Sequence, residues 1–230
     1  MRIPQLATRA VPLLCAIRTS GCSGLFHSTA QPEQTYYLRA PPAAAAGNGT
    51  AAVAASLRVG HPAAAPGLDS SHIMLVQADH RMNFYIGSRW PAPVADVLEA
   101  LAVETLRASG AWTSVEDSTS PFPSDYLLQV AVRRFEADYT AGGGVPEVHV
   151  TLDCIIGRRA GRDVVATFVV SGATLATANR LSDVVSAFEQ ATGAALGALS
   201  QQAAQAVRAA AEHAAQNQDS PTPSITRQSQ

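Results

Sequence analysis

The sequence predicts a single α/β domain in which a mixed β-sheet is packed by helices, the last of them long. Three observations support this prediction. The chain has 230 residues, enough to bury a substantial core. Short β-prone apolar runs precede and follow a stretch with helical periodicity, and a second, longer amphipathic stretch lies near the C-terminus. No internal repeat interrupts this order, so strands and helices are expected to share one core.

The first half of the domain contains β-prone runs and one helix. The aromatic run 35–39 is β-prone, and the Ala, Pro and Gly-rich segment 40–67 predicts mostly loop with one short strand at 56–59. The apolar runs 73–76 and 82–86 flank a turn-like Ala-Asp-His and predict a hairpin. Pro91 and Pro93 then open a helix whose apolar residues recur every three or four positions, until Ser109 and Gly110 close it.

The second half begins with a short strand at 112–115 and a long alternating strand at 126–139. Runs 148–156 and 164–171 are joined by a basic, Gly-bounded turn and predict a hairpin. Ser182, a capping residue, begins an amphipathic helix that continues to about Gln216. Strict alternation divides the long strand into two faces, one with Leu128, Val130, Val132 and Arg134, the other with Leu127, Gln129, Ala131, Arg133 and Phe135.

The N-terminus resembles an export signal. Arg2 and Arg9 precede an apolar stretch at 10–17, and the small residues 19–21 stand directly before Cys22, as in the lipobox of bacterial lipoproteins. The predicted organisation is a lipoprotein signal peptide at 1–21, a lipid-anchored tether at 22–34, the domain at 35–216 and a disordered tail at 217–230. Cleavage after 28–30 and a mitochondrial presequence are the alternatives.

Composition excludes several classes of function. All 16 basic residues are arginine, which excludes Schiff-base lysines and the P-loop lysine. With 18 acidic residues against them, no nucleic-acid footprint is present. The 3 cysteines are too scattered for a disulfide framework or a zinc site, so we expect neither a metal nor a cofactor. Cys154, in the middle of a strand, is predicted to be a buried thiol rather than a nucleophile.

Two sets of residues are weighed as functional sites. Asp69, His72, Asp79 and His80 flank one strand and would be the site of an enzyme, but the sequence favours the simpler interpretation that they are solvated residues at strand ends. Arg158, Arg159 and Arg162 share one hairpin turn and could contact a partner or lipid phosphates, the alternative being solvated turn charges. Trp90 and Trp112, beside element ends, are either core residues or contacts to a partner.

An ordered set of short motifs between about residues 22 and 210 resembles the ABC-type transport auxiliary lipoprotein family, the PqiC type. No single motif is diagnostic, but their order is. The motifs are Tyr36-Tyr37-Leu38, Leu57-Arg58-Val59, Pro66-Gly67-Leu68-Asp69, Ile73-Met74-Leu75-Val76, Phe84-Tyr85, Arg89-Trp90-Pro91-Ala92-Pro93, Ser109-Gly110-Ala111-Trp112, Asp125-Tyr126-Leu127-Leu128, Phe135-Glu136 and Ala198-Leu199-Ser200.

The resemblance implies a lipoprotein on the periplasmic face of the Gram-negative outer membrane, acylated at Cys22. It would work without catalysis and as a homo-oligomer, beside an MCE-domain protein, an inner-membrane permease and an ATPase that move lipids and maintain membrane integrity. The competing hypothesis is a soluble periplasmic binding module or chaperone for lipid or outer-membrane proteins. That hypothesis predicts a deep apolar pocket between sheet and helix.

Overall fold

The structure, a computed structural model, describes residues 32–42 and 52–218. Within these residues nine strands and two helices form one α/β domain, which confirms the predicted fold class. The elements are β1 (Gln34–Thr35), β2 (Val53–Val59), β3 (Ala63–Ala64), β4 (His72–Val76), β5 (Met82–Arg89), α1 (Val94–Ala108), β6 (Trp112–Glu116), β7 (Tyr126–Asp138), β8 (Glu147–Arg158), β9 (Asp163–Leu175) and α2 (Leu181–Gln218).

The long strand β7 organises the sheet. On one side it pairs antiparallel with β8, and β8 pairs antiparallel with β9. On its other side β2, β3 and β4 pair with it in parallel, one after another along its length. β6 lies beyond β2, β5 lies beyond β4, and β1 lies beyond β5. The sheet is therefore mixed, as predicted, and both predicted hairpins are present.

A β-bulge in β7 corrects one prediction. Val132 pairs with Leu152 and Arg134 pairs with the adjacent Thr151, so Arg133 is an extra residue without a partner of its own. The extra residue reverses the alternation that follows it. Phe135, predicted on the face opposite Leu128, is therefore on the buried face and only 1% exposed.

The first helix follows its prediction closely. Pro93 is the N-cap of α1, and the backbone N–H of Val94 donates to the carbonyl of Ser70. The helix ends at Ala108 with Ser109 as its C-cap, and Gly110 adopts φ +61°, a conformation that favours glycine. Its apolar stripe packs into the core.

The second helix begins slightly differently from its prediction. Ser182 is not the cap, because α2 already starts at Leu181. The carboxylate of Asp183 holds the first turn, since it accepts hydrogen bonds from the hydroxyl of Thr177 at 2.6 Å and from Arg180 Nε at 2.9 Å. Although α2 has 38 residues, no helix among the described residues is long and apolar enough to cross a membrane.

The segment before β4 is more regular than predicted. The short strand expected at 56–59 is the seven-residue β2, and β3 adds a second short strand within the predicted loop. The β-prone run 35–39 contributes to the sheet only through β1. Cys22, most of the tether and the tail residues 219–230 lie outside the described residues.

Candidate docking surface

The turn between β8 and β9 places three arginines at one tip. The two strands pair as far as Arg158 and Asp163, so residues 158–163 form the end of the hairpin. Arg159 and Arg162 are exposed, and Arg162 adopts φ +56°. Arg158 pairs with Tyr126, which sets the tip beside the start of β7. The structure therefore brings the three predicted arginines together on an exposed turn, which we call the arginine tip.

A second segment, the loop before β7, is fixed against the arginine tip. The backbone N–H of Arg159 donates to the carbonyl of Asp125 at 2.9 Å, and Arg58 donates to the carbonyl of Phe122. Asp125 in turn accepts hydrogen bonds from the N–H and the hydroxyl of Ser56 at 2.8 Å and 2.7 Å. The loop and the tip consequently form one surface, with the ring of Phe122 66% exposed at its margin.

Positive charge predominates on this surface. The guanidinium groups of Arg58, Arg158, Arg159 and Arg162 lie near three carboxylates. Glu116 pairs with Arg58 across β6 and β2, and Asp163 lies 3.5 Å from Arg158 Nη1. Hydrogen bonds from Ser56, first from its backbone N–H, lower the pKa of the third carboxyl group, that of Asp125, and keep it ionised. The surplus of guanidinium groups suits an anionic partner surface.

Sequence reasoning did not include Arg58 and Phe122 in this surface. Arg58 is one hundred residues away from the tip in the chain, and it arrives there because it pairs with Leu127 across β2 and β7. Strand pairing of this kind leaves no local signal in the sequence. The exposure of Phe122, between two exposed prolines, could have been inferred from the Pro-rich turn around it.

Both tryptophans are core residues, the first of the two alternatives that the sequence left open, and neither can serve as a partner contact. Trp90 is completely buried, with its ring 5.2 Å from that of Phe188 and 5.9 Å from that of Phe135. Trp112 is 8% exposed and packs near Tyr126. Their burial leaves almost no indole surface that a partner could reach.

The four residues of the hypothetical enzyme site are not gathered into one cluster. His72 and the Asp79–His80 turn lie at opposite ends of β4, about 13 Å apart at about 3.3 Å per residue. The ring of His72 lies against that of Phe84, and Asp79 forms an ion pair with Arg81. Among the described residues, no group of three or more His, Cys, Asp or Glu side chains could hold a metal ion.

The space between the sheet and α2 is closely packed. Trp90, Phe135 and Phe188 fill one part of it with mutual ring contacts. Gly172 of β9 lies so close to Ala191 of α2 that an added Cβ would be 2.8 Å from the carbonyl carbon of Ala191. Apolar side chains thus occupy the region where a lipid-binding module would have its pocket.

Cys154 is a core residue, as predicted. Its side chain is fully buried on β8, and burial raises the pKa of its thiol to about 12. The neighbouring carboxylate of Asp153 contributes to the same shift. The thiol is therefore unreactive in the folded chain.

Two solved structures share this fold, and a third matches more weakly. A crystal structure of a DUF330-family protein from Xanthomonas campestris matches with 27% identity and a TM-score of 0.69, over 78% of this chain and 99% of that chain. The crystal structure of an uncharacterized protein matches with 15% identity and a TM-score of 0.53, over 80% of this chain and 99% of that chain. PelC from Paraburkholderia phytofirmans, solved as a dodecamer, matches with 19% identity over 69% of this chain and 90% of its own, at a TM-score of only 0.38.

Sequence comparison leads to the family. A search of curated proteins finds no match. The family model for the ABC-type transport auxiliary lipoprotein component matches residues 36–215, which comprise nearly the whole described domain. This confirms the resemblance drawn from the ordered motifs. The chain belongs to the ABC-type transport auxiliary lipoprotein component family.

Proposed function

We propose that this protein is a non-enzymatic outer-membrane lipoprotein that docks the periplasmic MCE-domain protein of an ABC-type lipid transporter to the outer membrane, on its periplasmic face. Cys22 would carry the lipid anchor, and the arginine tip would contact the partner. The permease and the ATPase of the transporter would lie at the inner membrane. Family membership supports the role in transport, and the arrangement of the domain's two ends supports the docking geometry.

The observation that carries the proposal is the separation between the chain's point of entry and the arginine tip. β1 pairs with the end of β5, which lies beside His72 at the start of β4. Leu75 of β4 pairs with Ala137 of β7, so His72, three residues earlier, lies at the level of Arg134. Arg134 is about eight residues, or about 26 Å, from Tyr126 and the arginine tip.

The direction of β1 adds to this separation. β4 and β7 run in the same sense, away from the tip, and β5 runs back towards it. β1 is parallel to β5, so the chain enters the sheet from the side opposite the tip. A domain anchored through that side would present the arginine tip away from the membrane and towards a periplasmic partner.

The tight packing between the sheet and α2 favours docking over the alternative of a soluble lipid-binding module. A module that carries lipid needs an apolar cavity of several hundred cubic ångströms. The region between β9 and α2 instead brings Gly172 and Ala191 into close contact. Binding through surface groups therefore fits the domain better than enclosure of a ligand.

The lipid anchor can be tested through the absence of lysine. Because the chain has no lysine side chain, its sole primary amine is the α-amino group of its first residue. In a triacylated lipoprotein that amine is blocked. We expect the wild-type protein from membranes to resist an amine-reactive dye and to fractionate with the outer membrane, whereas Cys22→Ala is labelled or retains its signal peptide.

Intact mass provides the matching measurement, because acylation adds the mass of three acyl chains and glycerol. Cys15→Ala is the control, since it removes the neighbouring cysteine and should leave both acylation and fractionation unchanged. If the wild-type protein were soluble and reacted with the dye, the lipid anchor would be contradicted. The soluble binding module would then be the favoured hypothesis.

The arginine tip can be tested by neutralising it. We expect Arg158→Gln/Arg159→Gln/Arg162→Gln to weaken binding to the periplasmic part of the MCE-domain protein by about threefold to a hundredfold, since each of the three ion pairs at an interface rim contributes about 0.2–1 kcal/mol. The dissociation constants, measured by biolayer interferometry at two salt concentrations, should also show a weaker salt dependence in the variant.

A control with the same change in charge uses exposed arginines away from the tip, in Arg39→Gln/Arg133→Gln/Arg180→Gln, and should keep wild-type affinity. Equal losses in both variants would indicate a non-specific charge effect and contradict the assignment. Unchanged partner binding, with loss of cosedimentation with anionic phospholipid vesicles, would assign the tip to lipid instead.

A further inference from the structure

The strand β5 exposes large apolar side chains beside the point where the chain enters the domain. Met82 and Phe84 are about half exposed, and Ile86 is 91% exposed. We call these three residues the edge patch. Tyr37, which follows β1 closely in the chain, is 69% exposed. Large apolar groups exposed near one another mark a surface that contacts another protein or a membrane.

A bulge in β5 accounts for the exposure of Ile86. Phe84 pairs with Met74 and Arg89 pairs with His72, so the four residues 85–88 stand opposite the single residue 73. Gly87, within the bulge, adopts φ +69°, and a Cβ added there would meet no atom within 4 Å. Bulges of this kind redirect a side chain away from its place in the regular sheet. Ile86 therefore projects from the edge.

The edge patch is electrically neutral along its strand. β5 has no charged residue before Arg89, its last residue. Ion pairs neutralise the charges at both ends of the strand, since Arg89 lies 3.2 Å from Glu33 and Arg81 pairs with Asp79. Moving the patch out of water therefore does not require the desolvation of an unpaired charge on this strand.

The tether joins the domain next to the edge patch. β1 pairs with the last two residues of β5, which directly follow the bulge that carries Ile86. Gln34, the first residue of β1, is twelve residues after Cys22. Twelve residues span at most about 40 Å. An anchor at Cys22 thus holds the edge patch close to the bilayer, at any distance up to this limit.

The edge patch and the arginine tip lie at opposite corners of the sheet. Three strands, β4, β7 and β8, separate β5 from β9, which places the two outer strands about 19 Å apart. Along the strands, the pair of Arg89 and His72 lies about 26 Å from the tip. A domain that rests on the edge patch therefore directs the arginine tip into the periplasm.

We infer that the edge patch is a second membrane contact, which inserts into the surface of the phospholipid bilayer beside the lipid anchor. Its three apolar side chains lie at the boundary between headgroups and acyl chains. Tyr37 suits the headgroup level, because its ring is apolar and its hydroxyl is polar. The contact rests on the proposed anchor at Cys22 and adds to it a fixed orientation of the domain.

The anchor explains why so small a patch is sufficient. A few apolar side chains give only weak, reversible binding to a membrane when they act alone. In the anchored protein the same contact forms within one complex, at an effective concentration that the tether length sets. The edge patch consequently has to orient a domain that is already at the membrane, and it does not have to bring the domain there.

Quenching of a fluorescent dye by lipid provides the test. Ile86→Cys is made in the acylated full chain, in which the sulfur of Cys22 is bonded to lipid and Cys154 is buried, so an NBD maleimide labels position 86. The protein is reconstituted into vesicles of phosphatidylethanolamine and phosphatidylglycerol, with and without a phospholipid that carries a doxyl quencher near its headgroup. We expect the quencher to remove about half of the fluorescence, because the patch inserts to that depth.

Val164→Cys, labelled in the same way, is the matched control. Val164 is also β-branched and 65% exposed, but it lies on β9 beside the arginine tip. The control accounts for the affinity of the dye itself for lipid, and its fluorescence should not change. Equal quenching at both positions would overturn the inference. So would a blue-shifted dye at position 86 that the doxyl lipid does not quench, because a second copy or another protein would then cover the patch.

A charge placed within the edge patch tests whether apolar insertion drives the contact. Phe84→Asp, added to the Ile86→Cys chain, should abolish most of the quenching, because a carboxylate resists transfer out of water. Val169→Asp adds the same charge on β9 at a similarly exposed position, 55% against 46%, and should leave the quenching unchanged. Quenching that survives Phe84→Asp, or that both substitutions abolish equally, would contradict the contact.

Two outcomes distinguish the contact from the anchor on which it rests. If intact mass shows no acylation and the wild-type chain is washed from the vesicles, the proposed anchor is wrong and the contact is wrong with it. If the acylated chain stays on the vesicles while the dye at position 86 is not quenched, the anchor is retained and the membrane contact alone is overturned.

Discussion

Substitution of Gly172 by alanine is expected to destabilise the domain severely. An added Cβ would overlap the carbonyl oxygen of Ala191 and lie 2.8 Å from its carbonyl carbon. These are backbone atoms inside α2, so no side chain can rotate to make room. We expect a loss of about 3 kcal/mol or more in the free energy of unfolding, at the upper end of overpacking effects. For a domain of this size that lowers the Tm by about 6–12 °C.

Gly197→Ala is the matched control, because it also adds one methyl group at a glycine, here one inside α2 with open space around it. A Cβ at Gly197 meets no atom within 4 Å, and alanine favours a helix by about 1 kcal/mol over glycine. Its Tm should equal or exceed that of the wild type. If Gly172→Ala melted with the control in thermal circular dichroism, β9 and α2 would not be in the close contact described here.

Truncation of Phe188 is the second change with a large expected effect. The ring is fully buried in α2, 5.2 Å from Trp90 and 5.0 Å from Phe135, so it joins the helix to β7 and to the residue that directly follows β5. We expect Phe188→Ala to cost about 3–5 kcal/mol, from lost burial and from the cavity that remains. Chemical denaturation by urea should show a lower midpoint with an unchanged slope.

The same substitution at an exposed phenylalanine is the control, because it removes a ring that is not packed in the core. Phe122 is 66% exposed, and Phe122→Ala should change the free energy of unfolding by no more than about 0.5 kcal/mol. A similar cost at both positions would contradict the central place of Phe188. A change in slope for Phe188→Ala would indicate an altered denatured state or an intermediate rather than a simple loss of packing.

The sequence was sufficient to predict most of the fold because its periodicities are local. The hairpins of β4 with β5 and of β8 with β9, and the body of both helices, follow from alternation, helical spacing and turn residues. Alternation failed at Phe135 because one bulged residue, Arg133, reverses the pattern. The composition of the segment before β4 concealed the first half of β2, residues 53–55, which is stabilised by pairing with β6 rather than by its own propensity.

The candidate site was predictable only in its local part. Arg158, Arg159 and Arg162 share one turn, so their proximity was visible in the sequence. The contribution of Arg58 depends on the pairing of β2 with β7, which involves residues far apart in the chain. Trp90 and Trp112 could not be distinguished as core or surface residues, because that distinction requires knowing which elements cover them.

The burial of Cys154 makes its thiol a probe of how often the folded protein opens. In the mature form proposed here Cys15 is removed with the signal peptide and the sulfur of Cys22 is bonded to the lipid anchor, which leaves Cys154 as the remaining free thiol. With a pKa of about 12 and no solvent-accessible surface, it can be alkylated only when β8 opens. The rate at which a maleimide pulse labels the protein in intact envelopes therefore counts opening events, and it measures kinetic stability where the protein works.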